Sequence, residues 1–155
     1  MASPTRGAGF LHSVVHGYLP MTGGALGRGA GSLVAVEPGM TTTYGLKNAE
    51  VRGTLFLGPG VEVYEGMVVG ENQRPGDLVV NVCKERHVSN VRQSFKEIDD
   101  RLTPPRDMSL DQCIEYLNDD ELLEVTPDSL RIRKRILDSP KRGREDKRAK
   151  EALGT

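Results

Sequence analysis

The sequence predicts an α+β fold in which short strands outnumber helices. Three observations carry that reading. The densest apolar and glycine pattern, GTLFLGPGVEVYEGMVVG at residues 53–70, divides into three short β segments. Residues 122–126 and 129–137 alternate in polarity around Pro127-Asp128, the pattern of a hairpin. Between these two regions, residues 109–118 repeat apolar side chains at helical spacing.

Taken in order, residues 1–7 are polar and glycine-rich, and residues 9–18 read as a strand with Phe10, Leu11, Val14 and Val15 as its apolar members. A single strand leaves its backbone groups unpaired, so it needs a later segment or another partner. Residues 19–31 hold five glycines and no apolar period, which marks a linker or irregular loop. A phosphate cradle is excluded there. A dinucleotide fingerprint follows a strand and opens a helix, whereas this run precedes a strand, and the Gly-Lys-Ser/Thr of a P-loop is missing.

Residues 32–36 (SLVAV) read as a buried strand ended by Pro38-Gly39. Residues 41–52 predict a helix with Thr41 as N-cap and Gly53 just past its end. In the central stretch, residues 54–57 form a buried strand and Gly58-Pro59-Gly60 a turn, since proline fixes φ and glycine reaches positive φ. Val61, Val63 and Glu62, Glu65 alternate as a half-buried strand, and residues 66–70 turn back inward. Residues 73–77 are a turn and 78–82 (LVVNV) a further strand. Residues 84–105 have few apolar side chains and no period. A loop of that length inside a small domain is functional or disordered.

Ser109 and Gln112 have the spacing of a capping box, and Met108 can staple onto Cys113. Leu110, Cys113, Ile114 and Leu117 fall on one helical face, which makes Cys113 a core residue rather than a reactive thiol. In the second hairpin strand, Leu130 and Ile132 point one way and Arg131, Arg133 and Arg135 the other. From Pro140 onward no apolar face exists, so residues 138–155 are expected to be a flexible basic tail or a frayed helix.

The formal net charge is only −1, but it is strongly segregated. Residues 107–128 hold eight acids and no base, and residues 131–150 hold ten bases and three acids. The basic end suits a polyanion. The acidic 107–128 face supports a second reading, a module that docks a basic protein. The two cysteines, Cys83 and Cys113, form no disulfide or zinc pattern and fit a reducing compartment. No apolar run approaches membrane-spanning length, and no signal peptide is evident, so an intracellular protein with no membrane partner is expected.

Catalysis needs a positioned nucleophile or acid–base pair. Asp119-Asp120-Glu121 reads as a solvated acidic turn. Glu62, Glu65 and the pair His12/His16 lack accompanying catalytic or third-ligand residues. No catalytic and no metal site is assigned. Nucleic-acid binding is better supported. Lys84, Arg86, His87, Asn90 and Arg92 follow one another closely on a loop. Arg131, Arg133 and Arg135 repeat at about 6.6–7 Å along a strand, near the spacing of phosphates. Arginine's planar fork suits phosphate oxygens. With Lys134, these are the candidate RNA-binding residues.

The run YGLKNAEVRGTLFLGPGVEVYEGMVVGE at residues 44–71 resembles the C-terminal part of the TypA/BipA translational GTPases, relatives of elongation factor G. The segments KERHVSNVR (84–92), LTPPRDM (102–108) and DDELLEVTPDSLRIRKR (119–135) follow in family order. The resemblance implies a β-rich, family-specific C-terminal domain over residues 27–137, with one or two short helices. It makes residues 1–26 the closing strand and linker of a truncated unit like the fifth domain of elongation factor G. The chain would then be a fragment that begins inside a domain. The family's KxLTNxR loop corresponds to residues 84–92, with Val88 for leucine and Ser89 for threonine.

By resemblance, the expected partners are the ribosome, large-subunit ribosomal RNA and the acceptor end of A-site tRNA. The expected processes are translation, ribosome assembly and stress adaptation, for a monomer in the bacterial cytoplasm or a plastid. The GTPase motifs (P-loop, DxxG, NKxD) do not occur in these residues. GTP and magnesium are therefore expected in another part of the family's chain, with no cofactor and no GTP hydrolysis here.

Overall fold

In the computed structural model, residues 12, 14–18, 28–85 and 101–152 are described. The elements in chain order are β1 (Ser32–Ala35), β2 (Gly39–Met40), α1 (Thr43–Glu50), β3 (Gly53–Leu55), β4 (Glu62–Val63), β5 (Val68–Asn72), β6 (Leu78–Val80), α2 (Leu110–Tyr116), β7 (Glu121–Val125), β8 (Leu130–Lys134) and α3 (Ser139–Ala152). The predicted α+β class holds.

A four-stranded sheet in the order β3-β5-β1-β6 is the centre. β5 pairs antiparallel with both β1 and β3, whereas β6 runs parallel to β1. The central stretch does not form one three-stranded nucleus. β3 and β5 pair, but β4 leaves to join β2 in a separate two-stranded ribbon. Thr41 makes that departure: its hydroxyl donates to the Gly58 carbonyl and accepts from Val61 N, both at 2.9 Å. Thr41 thus pairs with the segment leading into β4, its backbone bonded to Val61 and Gly60, rather than capping α1. The N-cap of α1 is Thr42, whose hydroxyl accepts from Gly45 N. Gly53 is part of β3 rather than a helix cap. A Cβ there would lie 1.8 Å from the Glu71 carbonyl oxygen, so only glycine permits this strand approach.

Val68 and Val69 point to opposite faces of β5 and build two cores. On one face, α1 contributes Leu46 and Ala49 to a cluster with Leu33, Ala35, Leu55 and Val69. On the other, Val68, Cys113, Tyr116 and Ile132 join the sheet to α2 and the hairpin β7–β8. The hairpin is stitched on through Lys134 N, which donates to the Gly66 carbonyl at 2.8 Å.

The capping box of α2 is present, with Ser109 and Gln112 bonded reciprocally. Cys113 is buried as expected. Leu117 packs against the same cluster, but the other two members of the predicted apolar face turn outward. Leu110 and Ile114 are 45% and 55% exposed, and Tyr116 is buried in their place. Tyr116 wins because it packs edge-on against Phe56, with ring centroids 5.1 Å apart, which neither aliphatic side chain can do.

Of the two forms expected for residues 138–155, a flexible tail or a frayed helix, the structure has a 14-residue helix, α3. Asp138 caps it, its carboxylate accepting from Lys141 N at 2.8 Å. Glu65, one of the acids weighed above as a base, accepts from Ser139 N at 2.9 Å. Asp138-Ser139-Pro140 is a helix-start signal, since proline suits the first turn. Of the expected strand at residues 9–18, His12 and residues 14–18 are described; they are exposed and in no strand.

Candidate nucleic-acid interface

The hairpin positions the arginines. Its register sets Glu121 opposite Lys134, Leu122 opposite Arg133 and Glu124 opposite Arg131. Period-2 alternation turns Ile132 inward and Arg131 and Arg133 outward, as the sequence pattern requires.

The same alternation puts Lys134 on the inward side, and this corrects its assignment as an RNA contact. Its side chain is 1% exposed. Nζ pairs with Asp120 at 2.7 Å, with Glu121 at 2.9 Å and with Asp77. Burial lowers the affinity of this amine for its proton, but Asp120, Asp77 and Glu121 outweigh it and raise the pKa. A phosphate cannot reach an ammonium enclosed by three carboxylates.

Glu121 departs from the solvated acidic turn expected for residues 119–121. Its side chain is fully buried. Arg28, from the segment read as linker, donates to Glu121 Oε1 at 2.6 Å, to Oε2 at 2.9 Å and to the Tyr116 carbonyl at 2.6 Å. Arg28 also donates to the Ser32 hydroxyl, and its guanidinium carbon sits 3.7 Å from the Tyr116 ring centroid. Ser32 Oγ donates to Glu121 Oε1 at 2.6 Å. Burial pushes the Glu121 carboxyl up, but Arg28, Ser32 and Lys134 together hold it at about 2. This network is structural. It ties β1, α2, β7 and β8 to residue 28, and nothing in the residue pattern near Arg28 singled it out.

Outside the network, Arg133 Nε lies 2.6 Å from Glu124 Oε1, an ion pair whose N–H is not aimed at the oxygen. Glu124 Oε2 accepts from the Tyr64 hydroxyl at 2.7 Å. Burial and this carboxylate raise the Tyr64 pKa. Arg133 is therefore partly neutralised. Arg131 makes no side-chain hydrogen bond or ion pair among the described residues, and it borders an open cleft of about 550 Å³ with Phe56, Arg106, Met108 and Asp128. Arg135 is exposed; its backbone N–H donates to the Asp120 carbonyl at 2.8 Å.

Of the loop residues, Lys84 is described and exposed. Arg86, His87, Asn90 and Arg92 lie outside the described residues. Both ends of the loop are anchored on α1. The Thr42 hydroxyl donates to the Lys84 carbonyl at 2.6 Å. At the far end, Lys47 Nζ donates to the Arg101 carbonyl at 2.6 Å, and Thr103 N donates to Glu50 at 2.7 Å. The bond from Thr103, with help from Lys47, holds the Glu50 carboxyl down at about 2. α1 and the hairpin cover opposite faces of the sheet, so the loop anchors and the arginine edge of β8 are not one continuous patch.

The acidic 107–128 face is also reduced. Asp120, Glu121 and Glu124 are engaged internally, which leaves Asp107, Asp111, Glu115, Asp119 and Asp128 outward. Among the described residues, no group of His, Cys, Asp and Glu could hold a metal ion, and no helix is long and apolar enough to cross a membrane.

These features define an α+β domain with an ionic core and an arginine-bearing hairpin. The model of the TypA/BipA C-terminal domain matches residues 30–139, so the chain belongs to the TypA/BipA family and corresponds to its C-terminal part. It is 47% identical over 151 residues to the large ribosomal subunit assembly factor BipA of Bacillus subtilis, covering 97% of this chain and 25% of that protein. The putative elongation factor TypA-like SVR3, chloroplastic, of Arabidopsis thaliana is 48% identical over 128 residues, 83% of this chain and 19% of that protein. The BipA of Salmonella typhimurium is 41% identical over 148 residues, 95% of this chain and 24% of that protein. The chain spans about a quarter of the length of the bacterial relatives it matches.

Proposed function

We propose that this chain is the ribosome-contacting C-terminal region of a TypA/BipA protein, and that it holds large-subunit ribosomal RNA by electrostatics and shape. The observation that carries the reading is Arg131. It stands outward on the hairpin of a chain whose relatives are named as large ribosomal subunit assembly factors, and it makes no ion pair among the described residues. Arg133 and Arg135 flank it, and Lys84 opens a second element on the α1 side. Because the sheet separates them, each element contacts its own stretch of phosphates. Arg86, His87, Asn90 and Arg92, which follow Lys84 in sequence, are on this reading the further contacts to large-subunit RNA and the acceptor end of A-site tRNA.

On this reading the chain makes no bonds itself, and GTP and magnesium act in the family's GTPase region. Residues 27–137 form the RNA-contacting domain, residues 1–26 belong to the preceding unit, and the protein works as a monomer in translation, ribosome assembly and stress adaptation. Its compartment is the bacterial cytoplasm or a plastid, as the names of its relatives suggest. Co-sedimentation with large ribosomal subunits tests the reading. Arg131→Glu and Arg92→Glu are expected to weaken binding with the fold intact, and binding that is steeply salt-dependent in the parent chain is required. Displacement by a basic protein but not by free RNA would favour the acidic docking surface instead.

A further inference from the structure

The helix α3 has no packing reason to exist. Its sequence, SPKRGREDKRAKEA, has alanine as its largest apolar side chain apart from Pro140, so it buries no apolar stripe. An isolated charged helix of this length is marginal in water. Its root is nevertheless fixed by several independent contacts. Glu65 and Asp138 satisfy the amides of Ser139 and Lys141. Arg142 donates to the Ile136 and Leu137 carbonyls at 2.9 and 2.5 Å. Gly66, at φ 85°, lets the chain pass so close that a Cβ would lie 2.7 Å from the Leu137 Cα.

Beyond that root, Lys141, Arg144, Lys147 and Arg148 are exposed and make no ion pair among the described residues. Lys141, Arg144 and Arg148 stand at i, i+3 and i+7, one side of the helix, which they share with Glu145 at i+4, so that side still carries three cations against one acid. Successive charges are about 4.5 and 6 Å apart along the axis, within reach of neighbouring phosphates along a strand.

We propose that α3 is a cationic arm, held at a fixed angle from the hairpin, that lies along an RNA phosphate backbone through Lys141, Arg144 and Arg148. This rests on the RNA-binding reading above and adds a surface to it. Charge complementarity selects the occupant. A membrane-surface helix needs an apolar face to insert, and a protein interface needs desolvated apolar or aromatic anchors. α3 has neither, whereas a polyanion asks only for exposed cations on a helix whose root is held.

The test uses the whole 155-residue chain and a ribosomal RNA fragment containing a duplex, titrated across a salt series. The variant Lys141→Gln/Arg144→Gln/Arg148→Gln keeps good helix formers and leaves Arg142 in place. Its affinity is expected to fall about tenfold or more near 0.1 M salt, with the log–log salt slope reduced by about 2–3. Arg144→Lys/Arg148→Lys is expected to retain most of the binding. Should the triple variant lose its helical circular dichroism, single substitutions, each lowering the slope by about 1, decide the matter. An unchanged slope in the α3 variants, with binding still lost in Arg131→Glu, overturns the arm and leaves the RNA reading standing. No RNA binding by the parent chain overturns both, as does preference for phosphatidylserine vesicles or an acidic polypeptide over RNA.

Discussion

Glu121 and Lys134 face each other at the open end of the β7–β8 hairpin, Oε1 and Nζ 2.9 Å apart and both side chains withdrawn from water. They hold the hairpin to β1 and α2 through Arg28, Ser32 and Asp77. A buried ion pair adds little over a well-packed apolar pair, but losing one partner strands the other's charge.

Lys134→Ala is therefore expected to cost about 3–5 kcal/mol, because Glu121, Asp120 and Asp77 would remain together without their shared cation. Urea unfolding reads this directly. Lys134→Ala and Glu121→Gln, measured singly and together, are expected to be non-additive, giving a measurable coupling between the two positions.

Acid should weaken the fold through the same network. The Glu121 carboxyl is depressed from 4.5 to about 2, so its contribution is fully present above about 4.5 and is lost as pH falls toward 2. Glu50, depressed to about 2 by Thr103, adds to that window from the loop anchor. Glu121→Gln is expected to flatten the acid limb of a thermal-melting profile more than Glu50→Gln, since Glu121 is buried. At the alkaline end, the raised Lys134 pKa means that its contribution persists up to its unfolded value of 10.5 and is lost as pH rises through its higher folded value.

Gly66→Ala should cost about 1–3 kcal/mol in backbone strain alone, because Gly66 has φ 85° and the Leu137 backbone lies against it. Differential scanning calorimetry would show the loss. A melting temperature equal to the parent's would mean that the close approach of Gly66 and Leu137 is not maintained in solution.

Glu124 restrains Arg133, so Glu124→Gln is expected to strengthen binding to ribosomal RNA and to increase the salt slope by up to about 1. Filter binding across a salt series measures both. Reduced affinity would show that Glu124 acts by orienting Arg133 rather than by neutralising it.

Several local signals in the chain led to correct elements. The capping box of α2 and the Pro127-Asp128 turn depend on neighbours in sequence and form as read, and the run at residues 32–36 supplies a strand over Ser32–Ala35. The hairpin alternation was also correct, and applied one residue further it places Lys134 inside. The candidate RNA residues on the hairpin divide by partner: Arg131 without an ion pair among the described residues, Arg133 against Glu124, Lys134 enclosed. That division depends on which acids the fold brings across, so composition did not show it.

By itself the sequence determined the class of fold, the family and the segregation of charge, because periodicity, turn chemistry and motif order are properties of short stretches. Only the tertiary structure decided which strand left the central sheet, which face of α2 was buried, and that Arg28, 93 residues from Glu121, closes the ionic core. Those outcomes rest on long-range pairing, where a single ring contact or a buried carboxylate outweighs several weak local preferences.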